Sequence, residues 1–106
     1  MYVVATLWKF AGADEAREAL RRLRDNYGPL MRQEASLRDW YLVAVGAEEA
    51  LVLSFWESRA TYEAALPHLA GWGQQHLADL GARVQYRRRG DLAAHESGSG
   101  RCHRGP

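Results

Sequence analysis

Apolar positions along this chain follow two rhythms, one of period two and one of helical period. Tyr2 to Phe10 (YVVATLWKF) is β-branched and aromatic, which predicts a strand. Tyr2, Val4, Trp8 and Phe10 share one face and Val3, Ala5 and Leu7 the other, so both faces need cover. After Ala11-Gly12-Ala13 the rhythm becomes helical. Ala16, Ala19, Leu20, Leu23 and Tyr27 form the buried stripe of a helix from Asp14 to Tyr27, while Arg17, Arg21, Arg22 and Arg24 are expected to face water. Gly28-Pro29 is expected to break that helix, with a helical turn restarting over Leu30 to Ala35. A second strand is expected from Asp39 or Trp40 to Gly46. A short turn joins it to a third from Ala50 to Trp56, paired as a hairpin.

The stretch from Leu51 to Leu80 organises the rest. Its strand runs directly into Glu57 and Ser58, and Ser58 is the expected N-cap of a helix that folds straight back over the sheet. Pro67 is expected to interrupt this helix near Leu66. A second piece from His68 to Leu80 then places Leu69, Trp72, His76 and Leu80 on one face, shortened by Gly71 and Gly73 and ended by Gly81. Ala82 to Arg89 reads as the last strand, with Val84 and Tyr86 on one face and Arg83, Gln85 and Arg87 on the other. Arg87, Arg88 and Arg89 would blunt pairing at an edge. From His95 onward the chain is rich in Gly, Ser and charge, which predicts one folded domain over residues 1–94 and a flexible polar tail over 95–106.

The order β-α-β-β-α-β is the ferredoxin-like plan of the α+β class, a four-stranded antiparallel sheet with two helices on one face. The other face would stay bare and apolar. A chain of 106 residues has no further layer for it, so a second copy packed through the helix-free sheet face, making a dimeric α+β barrel, is the expected partner.

Composition narrows the functional classes. A net charge of +1 and a charged fraction of 25% give no global pull toward nucleic acid or membrane. The single cysteine, Cys102, excludes an internal disulfide and a cysteine-based zinc cluster. No apolar run approaches the roughly 18 residues of a membrane helix, and no secretory leader is recognisable, so a cytoplasmic location is expected. No phosphate loop or dinucleotide fingerprint is present.

The candidate chemistry gathers around the second helical region. Trp72 and His76 are one helical turn apart, as are His68 and Trp72, so a His–Trp–His stripe is expected to line a cleft. His76 is the expected general base, since a neutral imidazole titrates near neutral pH, and Tyr62 joins it in the catalytic set. Trp72, His68 and Trp56 are the expected ligand-binding residues, offering flat surfaces for stacking. On one helix His68 and His76 would stand about 12 Å apart along the axis, too far to chelate one metal ion.

The segments MYVVATLWKF and LVLSFWESRATYEAAL, followed by a helix carrying Trp72 and His76, resemble the dimeric α+β barrel superfamily, and within it the antibiotic-biosynthesis monooxygenase-like domains. The resemblance spans about residues 1–92. It implies a homodimer with a pocket between sheet and helices in each subunit, and a cofactor-free monooxygenase acting on a small aromatic or flat ligand. Two alternatives come with it. One is a non-catalytic ligand-binding or stress-related barrel. The other is a haem-binding or haem-degrading protein with His76 on the iron, although the Asn of that group's first strand is absent and Ala64 and Ala65 stand where its helical Trp is expected.

Overall fold

A computed structural model describes residues 1–96. Apart from His95 and Glu96, the expected tail lies outside the described residues. Four strands form one antiparallel sheet: β1 (Tyr2–Lys9), β2 (Leu37–Val45), β3 (Glu49–Trp56) and β4 (Arg83–Asp91), in the order β2-β3-β1-β4. Alternation along β3 is regular. Ala50, Val52, Ser54 and Trp56 are buried beneath the helices, and Leu51, Leu53 and Phe55 point to the opposite face. The register sets Tyr2 opposite Trp56, Val4 opposite Ser54 and Thr6 opposite Val52, so both central strands present one continuous inner face. The opposite face carries Val3, Leu7, Leu51, Leu53 and Phe55, with Tyr41, Val43 and Tyr86 exposed.

The helical layer departs from expectation at both prolines. Gly28-Pro29 does not break the first helix. α1 (Ala13–Arg22) passes through a π turn (Leu23–Tyr27) into α2 (Gly28–Arg32) with helical backbone throughout. The Gly28 N–H donates to the Leu23 carbonyl, five residues back, and this wider turn shifts the register so that Pro29 opens a fresh α segment. Gly28 is buried against Trp40, and a Cβ there would meet that ring at 3.4 Å, an ordinary packing distance.

Ser58 caps α3 (Arg59–Leu69) as expected. Its hydroxyl accepts from the Thr61 N–H at 3.2 Å, and the Thr61 hydroxyl accepts from the Ser58 N–H at 3.1 Å. Pro67 lies inside α3 on its exposed side, where water can satisfy the carbonyl that Pro67 leaves unbonded. The interruption comes instead at Gly71, whose φ of +83° only glycine adopts readily. α4 (Trp72–Leu77) and a 3₁₀ turn (Ala78–Leu80) follow. His68 therefore belongs to α3 and Trp72 to α4, and the single stripe expected across His68, Trp72 and His76 does not form.

In β4 a bulge also overrides simple alternation. Leu7 pairs with Tyr86 but Trp8 pairs with Val84, so Gln85 is the extra residue and Val84 and Tyr86 fall on opposite faces. Val84 joins Arg87 on the helix side. Arg22, expected to face water, is half-buried: it donates to the His76 carbonyl at 2.8 Å and to both Asp79 carboxylate oxygens at 2.8 and 3.1 Å, tying α1 to α4.

Candidate ligand cavity

The inner face of the sheet and the helices enclose a cavity of about 580 Å³, inside the usual range for small-molecule sites. Each layer supplies part of it. β1 and β3 contribute Thr6, Trp8, Ser54 and Trp56; the π turn contributes Leu23 and Tyr27; α3 contributes Tyr62, Leu66 and Leu69. The Gly71 break and α4 contribute Trp72, Gly73 and Gln74, and the bulged strand contributes Val84 and Arg87. The deep wall is packed tightly enough that Trp56 is fully buried, with Tyr62, Thr6 and Ser54 nearly so. A ligand entering from solvent first meets Trp8, Tyr27, Trp72, Val84 and Arg87, which retain exposure.

Five of the lining residues are aromatic: Trp8, Tyr27, Trp56, Tyr62 and Trp72. Tyr27 lies 4.8 Å from Trp72, and Tyr62 stands edge-on to Trp56 at 5.4 Å. Such contacts hold rings in fixed planes, which favours stacking with another flat ring. Gly73 permits close approach of α4 to β1, since a Cβ there would come within 2.5 Å of the Trp8 ring.

Polar groups in the cavity are few. The Trp56 indole N–H donates to the Ser54 hydroxyl at 2.9 Å, and the Arg87 Nε donates to the Thr6 hydroxyl at 3.0 Å. Desolvation pushes the Tyr27 phenol up to about 12, with a further upward push from Tyr62 and a smaller opposing pull from Arg87. Tyr27 therefore keeps its proton at neutral pH and is able to donate it in a hydrogen bond.

Of the residues singled out in the sequence, Tyr62, Trp72 and Trp56 line the cavity and the two histidines do not. His76 is exposed, its ring 4.8 Å from that of Trp72. His68 is exposed on α3, with Nδ1 3.2 Å from the Glu34 carboxylate. Among the described residues no imidazole lines the cavity, so the lining does not fit a haem ligated through His76. Sequence reasoning passed over Tyr27 and Arg87, taking one for a core residue and the other for an edge charge. It also passed over Thr6 and Ser54, whose polar side chains at inward positions of apolar strands were the available signal.

Sheet order and the helical layer on one face define a ferredoxin-like α+β fold. Solved structures sharing the fold include a candidate antibiotic biosynthesis monooxygenase from Deinococcus radiodurans, with a TM-score of 0.73 and 17% identity over 92% of this chain and 97% of that one. HapK from Hahella chejuensis matches with a TM-score of 0.71 and 13% identity, over 92% of this chain and 98% of its own. A dimeric ferredoxin-like protein from an uncultured marine organism matches at 0.69 and 14%, over 91% and 97%. No family model matches the sequence, and no curated protein matches it.

Proposed function

We propose that this chain binds a small, flat aromatic ligand in the cavity between sheet and helices, and that it acts there as a cofactor-independent monooxygenase. The observation that carries the binding is the cavity of about 580 Å³ walled by five aromatic side chains. The monooxygenase chemistry is supported by the likeness in fold to the Deinococcus protein. In such a reaction an activated CH₂ carbon of the substrate loses a proton, and the resulting carbanion gives its electrons to O₂. The C–O bond forms, and the hydroperoxide loses water to leave a carbonyl. One O₂ is consumed and one water released per carbonyl formed. The chain's part is to orient the ring between Trp8 and Trp72 and to offer the Tyr27 and Tyr62 hydroxyls to the substrate's oxygens.

We further propose a homodimer joined through the helix-free sheet face. Tyr41, Val43 and Tyr86 are 51%, 40% and 36% exposed there, a large apolar surface for a soluble chain. The second reading is a ligand-binding barrel without a reaction. It is favoured by one observation: among the described residues no carboxylate or imidazole lines the cavity to take the substrate's proton.

Thermal melting with hydroxylated anthrones and naphthoquinols, coupled to an oxygen electrode, tests these readings. A ligand at about a hundred times its Kd adds about 2.7 kcal/mol, which raises the melting temperature of so small a domain by about 10 °C or more. A shift with stoichiometric oxygen uptake supports the enzyme, and a shift without uptake supports the binding barrel. No shift with any flat ligand refutes both.

A further inference from the structure

We propose that the cavity selects an aromatic carboxylate, with the Arg87 guanidinium holding its carboxylate group. This rests on the flat-ligand reading above and adds the charge that the ligand must carry. Among the described residues that line the cavity, Arg87 alone bears a charge at neutral pH, and no Asp or Glu accompanies it. A cationic ligand would be repelled by that arginine and would find no counter-charge. A neutral ligand would leave the arginine unused.

The guanidinium is held for this role. The β4 bulge places Arg87 on the helix side of the sheet, opposite Thr6. Its Nε donates to the Thr6 hydroxyl at 3.0 Å, and that hydroxyl belongs to a buried side chain of the central strand β1. This bond fixes the plane of the fork. Arg87 makes no ion pair among the described residues, so its two terminal nitrogens remain free, and that edge matches both oxygens of a carboxylate. The nearby Tyr27 hydroxyl stays protonated and supplies a neutral donor, suited to an anionic oxygen and unable to repel it. The aromatic walls of Trp8 and Trp72 then receive the ring. An arginine that merely blunted the sheet edge would need neither the bond to Thr6 nor a place in the cavity wall.

The test uses two ligands of one shape, 2-naphthoate and 2-naphthamide, titrated calorimetrically into the full chain. Wild type should bind the naphthoate at least about tenfold more tightly, since hydrogen bonds to a charged group are worth roughly 1.5–3 kcal/mol. Arg87→Met should erase that preference by weakening the naphthoate far more than the naphthamide. Arg87→Lys, which keeps the charge but loses the fork, should fall between. In wild type alone the preference should shrink as salt rises, a readout that depends on no variant's folding. Equal affinity for the two ligands in wild type would overturn the proposal while leaving the flat-ligand reading intact, as would a preference that survives in folded Arg87→Met. Failure of both ligands to bind would overturn the two together.

Discussion

Raising the pH should destabilise this protein through the buried phenol of Tyr27. Burial lifts the Tyr27 phenol from 10.0 to about 12, while in the unfolded chain it titrates at its ordinary value. Below pH 10 both states hold the proton and the residue contributes no pH dependence. Between pH 10 and 12 the unfolded chain loses the proton and the folded chain keeps it, so the unfolded state gains and stability falls. The slope approaches about 1.36 kcal/mol per pH unit, and the whole window is worth about 2.7 kcal/mol. Denaturant melts of wild type and Tyr27→Phe from about pH 9 to about pH 11.5 isolate this effect, because the other titrating groups are common to both proteins. Wild type should lose about 2 kcal/mol more than the variant over that range. If both fall in parallel, Tyr27 is not desolvated, and its role as a permanently protonated donor in the cavity fails with it.

Other substitutions probe the frame around the cavity. Gly73→Ala drives a methyl group into the Trp8 ring and should cost about 1–3 kcal/mol in chemical denaturation, with a change in tryptophan emission. Ser58→Ala removes the hydroxyl that caps α3 and should cost about 1 kcal/mol, read by the same melts without loss of ligand affinity. Val43→Glu on the helix-free face should halve the mass seen by sedimentation equilibrium, and an unchanged mass would remove that face from the interface.

The fold was legible because its signals are short in range and mutually consistent. Runs of β-branched, aromatic and other apolar residues marked β1 and β3, helical spacing marked the stripe through Ala16, Ala19 and Leu23, and Ser58 announced α3. Misreadings fell where tertiary context overrides a local rule. Pro29 and Pro67 are strong breakers in isolation, yet a π turn absorbs one and an exposed helix face tolerates the other. The β4 bulge cannot be read from VQYRRR, since only pairing with β1 shows which residue is extra. That one residue decides which arginine faces the cavity. Moving the helix break from Pro67 to Gly71 likewise separates His68 from Trp72, so the histidines that looked chemical by spacing lie outside the lining.

The measurement that bears most directly on the central claim is a ¹H–¹⁵N spectrum of the indole N–H groups during titration with 2-naphthoate. The chain has 4 tryptophans, so each indole reports from a known place. Trp8, Trp56 and Trp72 line the cavity, while Trp40 packs beside Gly28 with its indole nitrogen buried and unbonded. A ligand held in the cavity should move the Trp8 and Trp72 signals most, with Trp56 following and Trp40 nearly still. Movement confined to Trp40, or none at saturating ligand, would contradict the account.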